Sequence, residues 1–495
     1  MSHLSLCPLE GRAVPATFAY SAALQKLTIT AAQGDQIAVT QLNNQPTGYI
    51  GVAAGATPVF SSDTDKAPVR SLTVIFTGAD AGSLTVETGV ALGGNLVVAG
   101  ARLNQFVTLN GVIGGSVTYT STPGAFDDIT VAGTARVGGN LILAVNGGDD
   151  VVRLKGGTVM GGLAVTGGAG ADTVEFAADG DLTIGGSAAL RLGDGANVVR
   201  GLGVGRLVTV GGSLSYTGGT GNDAFRPDAA GVSLRVGGDA RFTFGSGRGF
   251  DNNVAEFEGL SVGRNLTFTG TAGADAINVT GPLQVGGGVA ANLGTGPNGF
   301  AATGAGSTVG TTLTYAGQIG TDAVTLDNLS VGRNVSVNLG DGANQSFTGG
   351  PGGLNVYGSL SVKAGSGADA VTIRKGYVGW NLSVNGGAGN DAVTLDDLAV
   401  AGLTTFDLGA GNDTLAVETT AAATGVTSFG STVTVKAGDG DDTVNLSDDS
   451  DATTLVRFGG KLHLLSGLGA DILRDGPENT VAVSGGAEDF ETGNL

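Results

Sequence analysis

The sequence is poor in the residues from which most catalytic and metal sites are built. Its 495 residues include one cysteine, Cys7, and only two histidines, His3 and His463. A single cysteine excludes an internal disulfide framework. A Cys/His metal cluster or a Ser-His-Asp site would have almost no side chains to draw on, because the two histidines are far apart in the chain.

Charged residues and long apolar runs are also scarce. Charged residues make up 14% of the chain and apolar residues 41%, the reverse of a disordered composition. The formal net charge of −20 argues against nucleic-acid binding, which needs clustered Lys and Arg, and favours a weak attraction for cations. No apolar run reaches the ~18 residues of a transmembrane helix, so we expect no membrane span.

Proline is rare and glycine abundant, with 11 and 92 residues respectively. No Gly-X-Y triplet repeat is present, which excludes collagen. The glycines instead recur in corners such as Gly386–Leu395, where a glycine-rich turn closed by Asp391 precedes a short alternating strand. Glycine suits such corners because it adopts positive φ without steric cost.

The residue that closes each corner recurs at a regular period. Neighbouring members are between 22 and 29 positions apart, as in Asp369 to Asp391 and Asp413 to Asp442. Periods of about 20–50 residues are typical of stacked supersecondary units, so the pattern predicts roughly 17 coils. Its members are Asp80, Asn104, Asp128, Asp150, Asp172, Asn197, Asp223, Asp251, Asp275, Asn298, Asp322, Asn344, Asp369, Asp391, Asp413, Asp442 and Asp471.

Each repeat contains three pairs of alternating apolar residues. One pair precedes the aspartate corner, a second follows it, as at Val393 and Leu395, and a third precedes another glycine-rich corner such as Gly379-Trp380-Asn381. Alternation points Val and Leu inward and Thr, Asn and Ser outward. We therefore predict an all-β fold, a parallel β-helix (β-solenoid) with about three short strands per coil. Crossover chirality favours a right-handed coil.

The repeat divides the chain into four expected segments. Residues 1–16 are interpreted as a leader or export-type segment, and residues 17–70 as an N-terminal β cap. Residues 71–475 are the predicted β-solenoid, and residues 476–495 a C-terminal cap or tail. Caps are expected because the end coils of a solenoid must shield the open core and its strand edges.

The first residues carry a resemblance to a family of exported proteins. The segment Leu9-Glu-Gly-Arg-Ala-Val-Pro-Ala16 is similar to the Leu-Glu-Asp-Arg-x-x-Pro-Ala segment near the start of many large exported planctomycete proteins. Gly11 replaces the usual acidic residue, and the basic stretch that commonly precedes the segment is missing. The resemblance implies an exported bacterial Gly-rich β-strand-repeat protein at the cell surface or outside the cell. An ordinary disordered leader is the alternative.

The aspartate corners have a structural and a functional interpretation. In the first, Asp, Asn and Ser bond backbone amides two residues on, or stack into a ladder along the solenoid axis. In the second, the corners bind calcium. Gly167–Glu175, Gly218–Arg226 and Gly386–Thr394 fit the nonapeptide Gly-Gly-x-Gly-x-Asp-x-U-x, with U apolar, and so resemble RTX calcium-binding repeats. These nonapeptides recur only every 22 or more residues, so the resemblance covers a corner rather than a coil.

Stacked corner carboxylates repel each other unless a cation or water intervenes, which makes them candidate calcium ligands. The densest acidic cluster joins Gly438–Asp442 to Ser447–Asp451 and is the best single candidate for a cation site; a solvated acidic loop is the alternative. The candidate calcium ligands are Asp172, Asp223, Asp369, Asp391, Asp413, Asp441, Asp442, Asp448, Asp449 and Asp451.

Catalysis is not expected. Polysaccharide-cleaving β-helices need paired carboxylates in a groove usually lined by aromatics, and this chain has one Trp and seven Tyr. Trp380 occupies a corner position that is elsewhere Gly or Arg, which we interpret as a small exposed patch. No Gly-Lys-Ser/Thr ending of a P-loop is present.

The sequence therefore predicts a non-enzymatic, extracellular, structural or adhesive β-solenoid, with calcium as a candidate stiffening ion. The alternatives are an RTX-like calcium-binding protein and a β-helix carbohydrate-active enzyme. The expected partners are cations, together with cell-surface polysaccharide or further copies of the same chain. No nucleic acid is expected.

Overall fold

Two β-solenoid units make up the fold in the computed structural model. It describes residues 16–32, 34–42, 45, 48–62, 68–77, 81–100, 104–227, 231–245, 252–342, 345–418, 425–446 and 455–475. Residues 1–15 of the expected leader and the expected tail at 476–495 lie outside this range. The chain divides into two compact units, Met1–Gly211 and Gly212–Leu495. The prediction of an all-β, parallel β-solenoid is confirmed for each unit, whereas the hand and the number of coils stay predictions.

Each regular coil contributes a strand to three faces, named A, B and C in chain order. In the first unit, face A ends before the aspartate corner, face B follows it, and face C precedes the second glycine corner. Face A comprises Lys26–Ala31, Ser71–Phe76, Leu96–Ala99, Val117–Thr120, Leu141–Ala144, Leu163–Ala169 and Ala188–Asp194. Face B comprises Gln36–Gln41, Gly82–Val86, Gln105–Leu109, Asp127–Val131, Val151–Leu154, Thr173–Phe176 and Val198–Gly201. Face C comprises Ala91–Leu92, Val112–Ile113, Arg136–Val137, Gly157–Val159, Leu182–Ile184 and Leu207–Val210.

The second unit repeats the three faces. Face A comprises Leu214–Gly218, Ala240–Thr243, Leu266–Thr269, Val289–Gly294, Leu313–Gly317, Val335–Asn338, Leu360–Ser366, Leu382–Ala388, Thr404–Ala410, Val433–Asp439 and Leu462–Leu468. Face B comprises Ala224–Arg226, Asn252–Phe257, Ala274–Val279, Gly299–Ala302, Ala323–Leu326, Ser346–Gly349, Thr414–Val417, Thr443–Leu446 and Ile472–Asp475. Face C comprises Ser233–Val236, Leu260–Val262, Leu283–Val285, Ser307–Val309, Leu329–Val331, Leu354–Val356, Val426–Phe429 and Leu455–Phe458. Ala370–Val378 and Ala392–Val400 run through faces B and C as single strands.

Strands of successive coils pair in parallel with equivalent residues in register. Val371 pairs with Val393, and Val393 in turn pairs with Leu415. The alternation read from the sequence sets which side chains enter the core: on face A, Leu382 and Val384 are buried while Ser383 between them is exposed. A shift of one residue would turn each of these side chains to the opposite face, so the apolar pattern fixes the register.

The first described strands pair differently from the repeats. Thr17–Ser21 pairs antiparallel with Lys26–Ala31, and Ile50–Ala54 lies antiparallel between Gln36–Gln41 and Thr57–Ser61. Lys26–Ala31 also pairs in parallel with Ser71–Phe76, the next strand of face A. The antiparallel strands thus lie beside the first parallel coil. No helix in the described ranges is long and apolar enough to cross a membrane.

Aromatic side chains stack inside the second unit. The Phe242 ring is fully buried, and its centroid lies 4.8 Å from that of Phe225, 5.5 Å from that of Phe257 and 5.1 Å from that of Phe268. Rings at these distances add pairwise attraction to the burial of apolar area. The stack therefore links consecutive coils through their cores as well as through their backbones.

Truncation of Phe242 tests this packing. We expect Phe242→Ala to lower the free energy of unfolding by about 3–5 kcal/mol, because it removes a fully buried ring and leaves a cavity. Phe242→Leu should cost clearly less because it refills most of the volume. Urea unfolding followed by circular dichroism measures both, and a loss below about 1 kcal/mol for Phe242→Ala would contradict the packing.

Candidate functional site

A column of polar side chains points into the core at the corner between faces A and B. These side chains are buried, and they are carboxylates or amides. In the first unit the column contains Gln105, Asp127, Asp150, Asp172 and Asn197. In the second it contains Asp223, Asn253, Asp275, Asn298, Asp322, Gln345, Asp369, Asp391, Asp413, Asp442 and Asp471. We call it the inner column.

Most inner-column side chains accept a hydrogen bond from the backbone of the preceding coil. Oδ1 of Asp391 accepts the backbone N–H of Asp369 at 2.9 Å, and Oδ1 of Asp413 accepts the N–H of Asp391 at 2.7 Å. Oδ1 of Asp442 continues the series by accepting the N–H of Asp413 at 2.8 Å. In the first unit, Oδ1 of Asp172 likewise accepts the N–H of Asp150 at 3.0 Å. The buried corner amides, which no strand partner reaches, are satisfied in this way.

At some coils the sequence pattern assigned the inner position to the wrong one of two adjacent residues. Gln105 and Asp127 occupy the inner positions that the sequence pattern gave to Asn104 and Asp128. The side chain of Asn104 is instead exposed, and Asp128 pairs with Arg153 on the outer surface. Because alternate side chains face opposite ways, an error of one position moves a residue from the core to the surface.

Two further coils use inner residues that the sequence pattern did not assign. Asn253 and Gln345 fill the inner column where the pattern named Asp251 and Asn344. Asp251, Asn344 and the first predicted member, Asp80, lie outside the described residues. Glutamine was missed because the pattern sought only Asp and Asn.

The residue before the inner column forms a second ladder on the surface. Oδ1 of Asn390 accepts the N–H of Asn412 at 2.9 Å, and Oδ1 of Asn412 accepts the N–H of Asp441 at 3.0 Å. Asp441 in turn accepts the N–H of Ala470 at 2.9 Å. These exposed side chains reach to the following coil, whereas the inner ones reach to the preceding coil. Each Asn-Asp pair therefore ties one corner to both of its neighbours.

A third ladder lies at the corner between faces C and A. Oδ1 of Asn334 accepts the N–H of Ser359 at 2.9 Å, Oγ of Ser359 accepts the N–H of Asn381 at 3.3 Å, and Oδ1 of Asn381 accepts the N–H of Leu403 at 3.0 Å. The ladder interpretation of Asn and Ser thus agrees with the structure. These bonds join residues about one coil apart rather than residues two positions apart, so they are not local Asx turns.

The glycines of the nonapeptide have a packing reason in this chain. A Cβ on Gly167, the first glycine, would lie 1.9 Å from Oδ2 of Asp172, so this position must stay bare to admit the carboxylate. The same holds for Gly218, where a Cβ would lie 1.7 Å from Oδ2 of Asp223. A later glycine, Gly389, has φ of +134°, and its Cβ would lie 2.0 Å from the carbonyl oxygen of Gly367. Close stacking and inward carboxylates therefore account for the motif.

The predicted calcium ligands fall into three groups. Asp441 lies in the outer ladder, and Asp448, Asp449 and Asp451 lie outside the described residues. The others are in the inner column: Asp172, Asp223, Asp369, Asp391, Asp413 and Asp442. In the part of the chain that the structure describes, no three or more His, Cys, Asp or Glu side chains are grouped so that they could hold a metal ion. These side chains alone do not supply the roughly 6–8 oxygen ligands that Ca²⁺ takes, and calcium binding stays a prediction.

Burial changes the protonation of the inner carboxylates. Oδ2 of Asp150, Asp391 and Asp413 is buried without a hydrogen-bond partner among the described residues. An ionised carboxylate in such a place is costly, so burial raises the pKa of Asp150 to about 8, with the nearby Asp127 and Asp172 carboxylates adding to the shift. Burial likewise raises the pKa to about 6 for Asp172, Asp322, Asp369 and Asp413.

Comparison with protein-family models, with curated proteins and with solved structures finds no match to this chain.

Replacement of Asp391 tests the inner ladder. Asp391→Ala removes the acceptor of the buried Asp369 N–H, and we expect it to lower the free energy of unfolding by about 1–3 kcal/mol. Asp391→Asn keeps Oδ1 and removes the charge, as in Asn298, whose Oδ1 accepts the N–H of Asp275 in the same column, and should cost less than about 0.5 kcal/mol at pH 7. Urea unfolding at pH 7 compares the two variants. Equal losses for both would contradict the role of Oδ1.

The buried carboxylates also predict a pH dependence. Their folded-state pKa values lie above the unfolded value of about 3.9, so the folded chain binds more protons and stability must fall as the pH rises. The loss should begin above about pH 4 and continue to about pH 8, where Asp150 titrates. Urea unfolding at a series of pH values measures the slope. Asp150→Asn should flatten it between about pH 6 and 8, and a stability that increases over this range would contradict the assignment.

Proposed function

We propose that this chain is a non-enzymatic structural protein, a β-solenoid whose coils are locked together by side chains rather than by a bound ligand. One observation carries the proposal. The recurring aspartates of the inner column are the natural candidates for catalysis or cation binding. They are buried, and they accept hydrogen bonds from backbone amides of the neighbouring coil. Groups engaged in this way are out of reach of a dissolved substrate.

The composition and the outer surface support the same role. Columns of Asn, Ser and Asp on two corners bond coil to coil, so exposed polar side chains also serve the stacking. The net charge of −20 favours solubility at high local concentration. With the export-type segment at residues 9–16, these features support a structural part outside the cell or at its surface.

Calcium dependence separates this proposal from a calcium-binding repeat protein. We expect the thermal midpoint of the full chain to be the same, within about 1 °C, in excess chelator and in millimolar calcium, because internal bonds satisfy the corners without an ion. Differential scanning calorimetry measures both. A rise of several degrees with calcium would contradict the proposal, since a ligand bound only by the folded state raises the midpoint.

The matched variant for this test is Asp441→Asn. It keeps the acceptor oxygen of the outer ladder but removes one charge beside the densest acidic segment. If calcium raises the midpoint of the unaltered chain and not of this variant, the ion binds at that corner. Incubation with acidic and neutral polysaccharides, followed by an assay for new reducing ends, tests the enzyme alternative, and we expect no release.

A further inference from the structure

An exposed notch lies at the corner between faces C and A of the second unit. Arg333, Gly358 and Trp380 occupy one position in three successive coils: the N–H of Gly358 donates to the carbonyl of Arg333 at 2.9 Å, and the N–H of Trp380 donates to the carbonyl of Gly358 at 3.0 Å. Gly358 carries no side chain, so a gap opens between the Arg333 and Trp380 side chains. The notch measures about 340 Å³, within the size range of ligand sites, and Tyr357 and Asn334 also line it.

The gap is imposed by the stacking of the coils. A Cβ on Gly358 would lie 2.3 Å from Oδ1 of Asn334 and 2.7 Å from the Arg333 backbone, so no larger residue fits there. With about 4.8 Å between coils, the backbones of Arg333 and Trp380 are about 10 Å apart. Two van der Waals contacts of about 3.5–4.0 Å account for most of that distance. A single six-membered ring, flat or puckered, therefore fits between the two side chains.

The walls of the notch are unusually exposed aromatic groups. Trp380, the only tryptophan of the chain, is 68% exposed, and Tyr357 is 58% exposed. The Tyr377 ring lies edge-on to the Tyr357 ring, with 6.3 Å between centroids, and extends the surface along face C. Aromatic side chains left in water are candidates for ligand contact because they lose unfavourable hydration when covered.

Among the described residues, the only charged one that lines the notch is the basic Arg333, although the whole chain is acidic. From Gly342 to Asn390 the only acidic residue is the buried Asp369, whereas Lys363, Arg374 and Lys375 are basic and exposed. Arg374 pairs with Asp396 at 3.5 Å, but the Arg333 guanidinium has no ion pair or hydrogen bond among the described residues. Since exposed charges act only over about 8 Å at physiological salt, the unpaired Arg333 guanidinium, rather than the distant net negative charge, determines the attraction of a charged group bound in the notch.

We propose that this notch binds one acidic sugar unit, a uronic acid, of an extracellular polysaccharide. One face of a pyranose ring carries C–H groups that pack on Trp380, its edge lies against Tyr357, and its hydroxyl groups meet the exposed indole N–H and phenol groups. The guanidinium of Arg333 is positioned to take the carboxylate through two parallel N–H donors. The site shares no residue with the inner column, so the binding proposal and the structural proposal can be tested independently.

The lone tryptophan provides a direct readout of binding. We expect trigalacturonic acid to shift the Trp380 fluorescence of the full chain saturably, because the ring passes from water into contact with sugar. Galactotriose, which lacks the carboxylates, should bind at least about 10-fold more weakly, as expected for the loss of one charge-assisted contact. No saturable change with trigalacturonic acid, or equal affinity for the two probes, would overturn the proposal.

Two variants that keep the reporter test the assigned residues. Arg333→Gln should weaken trigalacturonic acid about 10-fold and leave the affinity for galactotriose unchanged, whereas Tyr357→Ala should weaken both probes. Arg264→Gln is the matched control, because Gly263-Arg264-Asn265 has the same corner sequence as Gly332-Arg333-Asn334 without aromatic neighbours in the next coils. Circular dichroism confirms that each variant folds. A loss with Arg264→Gln equal to that with Arg333→Gln would overturn the site.

Discussion

The bond between an inward-pointing corner side chain and the backbone N–H of the preceding coil underlies the stacking in each unit. Strand pairing on three faces holds the coils flat, but it does not satisfy the amides at the sharp turn where face A passes to face B. Asp391 and Asp413 supply the missing acceptors from within the core. The glycines follow from this arrangement, because a Cβ at Gly167 would occupy the space of the Asp172 carboxylate and one at Gly389 would meet the carbonyl of the coil beside it.

Much of the architecture is predictable from the sequence because it depends on local rules. Alternating Val and Leu define which face of each strand is buried, and the spacing of glycine corners gives the length of a coil. The direction of the corner aspartates is not predictable in the same way. A polar residue in a turn is ordinarily a surface residue. The amide that donates to Asp369 or Asp391 belongs to the preceding coil, so it can be identified only once the stacking of the coils is known. The exchange of Asn104 for Gln105 and of Asp128 for Asp127 has the same origin, since one extra corner residue reverses the facing of a side chain.

The inner column and the notch lie on opposite sides of the coil backbone: the first faces the core and the second faces the solvent. In the core, burial favours the protonated form of carboxylates such as Asp150. These carboxylates satisfy the corner amides, but each one lowers the stability of the fold at neutral pH, where it tends to ionise. Asn197 and Asn298 meet the same geometric need without a charge, which explains why amides take the place of acids at some coils of the column. On the surface, the Gly-Arg-Asn corner sequence occurs in more than one coil, but only at Arg333 does Gly358 leave a gap that Trp380 closes on the other side. The sequence pointed to this site only through Trp380, which occupies a position that is elsewhere Gly or Arg.

Native-state hydrogen exchange of the corner amides tests the inner ladder most directly. The account predicts that the N–H groups of Asp369, Asp391 and Asp413 exchange as slowly as the strand amide of Val384, because each is buried and bonded to a carboxylate of the next coil. Exchange as fast as that of the exposed turn residue Gly306 would contradict the ladder and leave the buried aspartates without a structural purpose.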